Sequence, residues 1–253
     1  MRRFFVPPEN VGEKYITIDD KNDLHHMERV LRLSAGDRLD ISDSQVWEYR
    51  TEIVSIDEDC AKVLILDKQK FSSEPDIKIT LFQGIPKQGK MELIVQKAVE
   101  LGVSSIIPVF TDRTVVSDKG NFSKKIQRWQ KISDEAVKQC RRGIIPQISQ
   151  AVKMTEVIDS FGDFDLVLFP YENEDGVTIK DVLRQQNGSS DNAKELNVES
   201  IAVIIGPEGG FSREEAERIT GSGGQSVSLG KTILRTETAS LAALSMIIYE
   251  MEL

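Results

Sequence analysis

The sequence predicts an α/β fold preceded by a small β-barrel module, on three observations. Short strand-like runs fill the first 70 residues, strand-like and helix-like runs alternate from about residue 77, and the polar stretch KFSSEPD at 70–76 separates the two patterns. A chain of 253 residues can bury a full core and fits one large domain or two modest ones. The expected division is 1–72 for the barrel and 76–253 for the α/β domain.

In the first module RRFFV, YITI, DRLDIS, WEYRTEIVSI and CAKVLIL read as strands, separated by turn residues such as Gly36-Asp37 and Asp57-Glu58-Asp59. One helix, over 22–33, interrupts them. In the second, IKITLFQG is followed by a helix over 90–101, SSIIPVF by a long helix over 123–142, and FDLVLFP by a helix near 177–186. SIAVIIG precedes a helix at 212–220, and QSVSLG precedes the last helix, 236–252. The segment 187–199 reads as a polar loop.

Composition removes several classes. Apolar content of 40% and charged content of 29% are those of an ordinary globular chain, and the longest apolar runs fall short of a membrane span. The start MRRFFVPPEN is no signal peptide, which predicts a cytosolic protein. Cys60 and Cys140 lie far apart without metal-ligand partners and read as reduced thiols. His25 and His26 are the only histidines, so no metal site is expected, and a C-terminal Ser-His-Asp triad is excluded.

The stretch VIIGPEGGFS, 203–212, carries the first chemical signal. The β-branched run before it reads as a strand buried on both faces, and open α/β sheets bind ligands at the carboxyl ends of such strands. Gly209 and Gly210 let backbone amides approach a ligand closely, and Ser212 with Glu215 forms a capping box for the next helix. The plain alternative is a tight strand-to-helix turn. The spacing is not that of a dinucleotide fingerprint. Downstream, GGQSVSLGKT ends like a phosphate loop, but position 225 is Gln where that motif needs Gly, so an ATPase is rejected. In LGKTILRTETASLAALSMIIYEM, 229–251, Thr236 or Thr238 can cap a helix whose Leu241, Ala242, Leu244, Ile247, Ile248 and Met251 leave few polar faces. Such a helix is buried on two sides, by a second subunit or wholly within its own core. Two glycine-containing bends at strand ends suit an adenosine with few phosphates or none.

The net charge of −9 speaks against nucleic acid, yet residues 76–150 carry 13 Lys/Arg against 7 Asp/Glu. On the helix 124–142, Lys124, Arg128, Lys131, Lys138 and Arg142 fall on one face, opposite Ile126, Trp129, Ile132, Ala136, Val137 and Cys140. That face reads as an RNA phosphate track or as a solvated surface. Lys87, Lys90 and Lys97 add charge nearby, and Arg2, Arg3, His26, Arg29 and Arg32 do so in the first module. Arg29 and Arg32, three apart on a helix, would share a side.

RRFFV at the start, HHMERVLR, QKAVELGV at 96–103, DRTVV at 112–116, the W..I..EAVKQCRR pattern at 129–142, GPEGGFS and LGKTILRTETA give the chain its resemblance. It resembles, nearly end to end, the RsmE family of 16S ribosomal RNA uridine-N3 methyltransferases of the SPOUT superfamily. The resemblance implies a PUA-like RNA-binding β-barrel followed by a SPOUT-type α/β domain with a trefoil knot, a topology that connection rules alone disfavour. It implies S-adenosylmethionine in the knot, held by the strand end at Leu168 and Pro170, by Gly206, Pro207, Glu208, Gly209 and Gly210, and by Leu229, Gly230, Ile233, Leu234, Arg235 and Thr236. It also implies a homodimer, and a uridine of the 30S subunit as target. Many relatives have Pro-Arg where this chain has Lys231-Thr232, which frees the backbone there.

Methylating uracil N3 requires an unpaired base, loss of its proton, and donors for charge developing on its carbonyls. Arg235 is the expected source of that electrostatic help. Glu208 or Glu237 would take the proton or orient a group that does, or would serve only as helix-terminal acceptors. The competing readings are a non-catalytic RNA-binding ribosome assembly factor and an enzyme using a free adenine nucleotide.

Overall fold

The computed structural model describes residues 3–71, 73–116, 122–186 and 198–253. Arg2 and the polar loop residues 187–197 lie outside them. The chain separates into two compact units, one of residues 1–74 with 137–145, the other of 75–136 with 146–253.

The first unit contains β1 (Arg3–Phe5), β2 (Tyr15–Ile18), α1 (Lys21–His25), β3 (Arg38–Ser42), β4 (Trp47–Ile56) and β5 (Ala61–Lys70). The strands form one sheet in the order β1-β3-β4-β5-β2, antiparallel except for the β1–β3 pair. Two register shifts between β4 and β5, at Arg50/Thr51 and Ile53/Ser55, supply the bulges that curl such a sheet. Its inner face buries Phe4, Ile16, Ile18, Leu39, Ile41, Ile53 and Val63 together with Leu24 and Met27. Asp20 caps α1 by accepting the N–H groups of Asn22 and Asp23. That helix gives way to a π turn over His26–Val30, and Arg32 then takes φ of 52°, outside any helix. The helix expected over 22–33 is therefore short, and Arg29 and Arg32 do not lie as neighbours on one.

The second unit contains β6 (Lys78–Gly84), α2 (Lys90–Glu100), β7 (Ser105–Phe110), most of α3 (Phe122–Cys140), β8 (Gln147–Ile148), β9 (Val152–Lys153), α4 (Met154–Asp159), β10 (Leu166–Pro170), α5 (Ile179–Gln186), β11 (Ser200–Ile205), α6 (Arg213–Gly221), β12 (Gln225–Val227) and α7 (Thr236–Glu252). Its sheet runs β12-β10-β11-β6-β7-β8, with β9 also on β7, and every pairing is parallel. β11 is the central strand. Ala202 and Ile204 pack into one core with Val157, Phe161, Phe211 and Ile219, while Ile201, Val203 and Ile205 point to the other face, where α7 packs. Each such Ile or Val contributes about 1.5–3 kcal/mol on burial, which is why a strand covered on both faces is continuously apolar.

All these strands are parallel, so the bends following β6, β10, β11 and β12 emerge at the same edge of the sheet. α7 closes that arrangement. It buries Ala243, Leu244 and Ile247 and packs against α2 and α5.

Candidate active site

β11 ends at Ile205, and the chain turns at once at Gly206. The Gly210 N–H donates to the Pro207 carbonyl at 2.9 Å, with Gly210 at φ of +66°, a left-handed conformation that suits glycine. A Cβ on Gly206 would stand 3.1 Å from the Gly210 Cα. The neighbouring end of β6 crowds the same turn from below. A Cβ on Gly84 would stand 2.6 Å from both the nitrogen and Cδ of Pro207. Gly84 was not singled out by the sequence reading, because its contact is with a segment more than a hundred residues away.

Two further segments hold the turn. The Arg113 guanidinium donates to the Gly209 carbonyl at 2.6 Å. Asp112 accepts the Ser212 hydroxyl at 2.6 Å and its N–H donates to the buried Glu215, which completes the capping box of α6 through Ser212. On the other side the Thr236 hydroxyl, at the first turn of α7, donates to the Gly206 carbonyl at 2.6 Å. The two C-terminal bends are thus fastened together.

They enclose a cleft of about 360 Å³. Its lining comes from the bend after β10 (Pro170, Tyr171, Glu172, Glu174, Asp175), the bend after β11 (Ile205 to Glu208, Gly210, Phe211) and the segment from Ser228 to Thr236, with Ala239. Of the residues expected around a cofactor, Pro170, Gly206, Pro207, Glu208, Gly210, Leu229, Gly230, Ile233, Leu234, Arg235 and Thr236 line this cleft. Leu168 is fully buried within β10, and Gly209 sits beside Arg113, outside the lining. The bend 171–175 carried no motif. It is held by Glu174, whose carboxylate accepts the Ser226 hydroxyl and the N–H groups of Gly176 and Val177; these bonds, led by Ser226, keep its pKa below the ordinary carboxylate value.

The three expected catalytic residues have different surroundings. Arg235 is exposed at the cleft and has no side-chain partner among the described residues. Glu208 and Glu237 meet across one lysine, with Lys90 Nζ 3.1 Å from Glu208 and 3.2 Å from Glu237. Glu208 also accepts the Lys87 N–H at 3.1 Å. Burial pushes the Glu208 carboxyl up, but its own backbone N–H, Lys90 and the Lys87 N–H outweigh that and leave it below the ordinary value. The hydrogen bond to Glu208 raises the Lys90 ammonium in turn.

The basic residues divide in the same way. Arg3 donates to Glu48 and to the carbonyls of Arg141 and Arg142, and is largely covered. α3 stops at Cys140, Arg141 takes φ of +64°, and Arg142 is buried against Glu74 at 2.7 Å. The helix expected to reach residue 142 is therefore two residues shorter, and Arg142 is not on its basic face. Lys97 pairs with Glu100, Arg128 with Glu92 and Lys138 with Asp23, each at the surface. His26, Arg29, Arg32, Lys87 and Lys131 are exposed.

A parallel sheet edge that gathers glycine bends into one cleft, with an exposed arginine lining it, is the arrangement of a ligand site. The family model for an RNA methyltransferase domain matches residues 73–248, and that for an RNA methyltransferase PUA domain matches 18–66. The chain is therefore an RNA methyltransferase, its second unit an α/β domain built on a wholly parallel sheet. Among curated relatives, the ribosomal RNA small subunit methyltransferase E of Bacillus subtilis is 32% identical over 100% of this chain and 98% of its own length. The chain belongs to that methyltransferase E family. The Neisseria gonorrhoeae member, solved bound to S-adenosyl methionine, is similar over 98% of this chain and 97% of its own, with 27% identity and a TM-score of 0.79. A Legionella pneumophila protein solved with bound cofactor SAM covers 98% and 96%, with 31% identity and a TM-score of 0.79.

Proposed function

We propose that the chain transfers the methyl group of S-adenosylmethionine to N3 of one uridine of 16S rRNA in the 30S subunit, uridine 1498 in customary rRNA numbering. The supporting observation is the fastening of the glycine turn to α7 through Thr236 and Gly206, which makes one cleft of three bends. The cleft's residues fit that cofactor. Pro170, Ile205, Phe211 and Leu229 offer apolar walls for an adenosine. Glu172, Glu174, Asp175 and Glu208 outnumber Lys231 and Arg235, a balance suited to a cationic group and poor for a triphosphate. The adenine-nucleotide reading fails on that balance.

The cofactor supplies an activated methyl on a sulfonium, so the chain's own task is positioning and charge. Arg235 stands at the cleft with its guanidinium uncommitted among the described residues, placed to meet negative charge developing on the uracil carbonyls. Glu208, held ionised by Lys90 and the Lys87 N–H, is a weak proton acceptor, and its role is to anchor the glycine turn to the segment before α2. Of the two carboxylates expected to act, Glu237 remains; it stands across the same lysine at the start of α7, beside the cleft and outside its lining, and relays the N3 proton. The exposed His26, Arg29, Arg32, Lys87 and Lys131 supply phosphate contacts. Two copies associate through α7, and the place of action is the cytoplasm, where ribosomal subunits are found.

Radiolabelled methyl transfer to 30S subunits, followed by nucleoside analysis, tests the proposal. Label in 3-methyluridine is expected. Label in another nucleoside overturns the position, and cofactor binding without any transfer favours the assembly-factor reading.

A further inference from the structure

Gln83, the penultimate residue of β6, is fully buried although polar. Its amide N–H groups donate to the Gly84 carbonyl at 2.9 Å and to the Thr236 hydroxyl at 3.0 Å. Its amide oxygen accepts the Ser240 hydroxyl at 2.5 Å. Thr236 donates its own hydroxyl hydrogen bond to the Gly206 carbonyl. The direction of this chain is fixed. A carbonyl can only accept, so Gly84 sets which end of the amide carries hydrogen; both N–H donors of Gln83 are then used and its oxygen accepts one bond. The hydrogen bonds run Ser240 to Gln83 to Thr236 to Gly206 in one sense, with the one Ser240 hydroxyl hydrogen shared between Gln83 and the Thr236 carbonyl at 2.9 Å.

The chain joins three segments that sequence separates widely: the end of β6, the glycine turn after β11 and the first two turns of α7. The glycine turn has supports of its own in the Gly210–Pro207 bond and in Arg113. Arg235 has less: its carbonyl accepts the Ala239 N–H of the helix at 2.7 Å, but it precedes Thr236 directly, no side-chain cap holds that end of α7, and its own side chain has no partner among the described residues. What Gln83 controls is therefore where α7 begins relative to the turn.

We infer that Gln83 is a positioning residue for methyl transfer, one that sets Arg235 at the cleft through Thr236 without touching cofactor or RNA. This rests on the proposed reaction. The charged groups on the surrounding segments are Lys87 and Lys90 after β6, Glu208 after β11, and Arg235 and Glu237 at the start of α7. They bridge the same segments at the surface, so the buried amide acts inside a partly independent clamp.

The test uses the full-length protein and 30S subunits. Gln83→Met, which keeps length and loses all three bonds, is expected to lower kcat at least tenfold with KM for S-adenosylmethionine changed less than threefold. Hydrogen exchange should quicken at 236–240 and stay unchanged at 207–210. Gln83→Glu gives a second reading if the first variant folds poorly. An ionised carboxyl there faces the Gly84 carbonyl with no hydrogen to offer, whereas a protonated one restores a donor. Its deficit against the parent protein should narrow as the pH falls from about 8 to about 6. Equal losses in kcat and cofactor binding, a kcat within threefold of the parent, or a deficit in Gln83→Glu independent of pH would each overturn the inference. If the parent protein methylates no 30S subunit, the proposed function falls. The exchange measurement then still decides whether Gln83 holds α7, because it needs no substrate.

Discussion

At the scale of single residues, the site depends on two kinds of position, and only one of them shows in the sequence. Gly206, Gly209 and Gly210 announce themselves, because a cluster of glycines after a β-branched run has few other physical uses. Gly84 and Gln83 do not, because their importance lies in what approaches them: the Pro207 ring in one case, the Thr236 hydroxyl in the other. Gly84→Ala tests the first. Its methyl group would meet Pro207 backbone and ring 2.6 Å away, neither of which can rotate aside. A loss of about 1–3 kcal/mol in stability is expected from such overpacking, with weaker cofactor binding by calorimetry. Arg235→Ala should behave differently. With no side-chain partner to lose among the described residues, stability should hold within about 0.5 kcal/mol by thermal unfolding. Turnover should fall by about 10²–10³, the usual effect of removing one donor from developing charge, with little change in cofactor affinity. Equal loss of both would reduce Arg235 to a shaper of the cleft.

At the scale of elements, the strand–helix alternation from residue 77 was readable because each core element there carries a full period of apolar residues. β8 and β9 have two residues each and α4 has six, too few to leave a period, and the stretch between α3 and β10 went unread for that reason. Helix ends were the other weakness. A basic run continued past Cys140, and sequence gave no sign that Arg141 would turn left-handed and send Arg142 inward to Glu74. The consequence is a sharp contrast between two arginine and lysine positions that the pattern treated alike. Arg142→Ala leaves Glu74, which also accepts the N–H groups of Gly143 and Ile144, without its buried counter-charge. It should cost about 3 kcal/mol in denaturant unfolding. Lys131→Ala, at an exposed site, should leave stability unchanged, and should lower the slope of log affinity for rRNA against log salt by roughly 1. A Lys131 variant with an unaltered salt slope would make that face of α3 a solvated surface.

At the scale of the whole molecule, a net charge of −9 misleads because it averages a basic middle third with acidic flanks. Association is the property where sequence and structure bear on each other most directly. The sequence made α7 apolar nearly all round, and the structure uses only part of that surface: Ala243, Leu244 and Ile247 are buried, while Leu241, Ala242, Ile248 and Met251 are half-covered. Ala242, Met246 and Tyr249 follow one another at helical spacing along a stripe, with Met246 40% and Tyr249 69% exposed. Such a stripe on a helix that starts at the cleft is where a second copy would gain most from burial, since a Tyr or Met there contributes on the order of 1.5–3 kcal/mol once covered. Tyr249→Asp should therefore halve the mass seen by light scattering at micromolar concentration and leave each copy folded, because the residue is mostly exposed within one copy. Cofactor affinity should drop with it if the partner stiffens α7 and the segment carrying Ile233, itself 82% exposed at the cleft. A parent protein that scatters as a monomer, or a variant that remains a dimer, would detach association from this stripe and return the apolar surface of α7 to the ordinary exposed residues of a soluble helix.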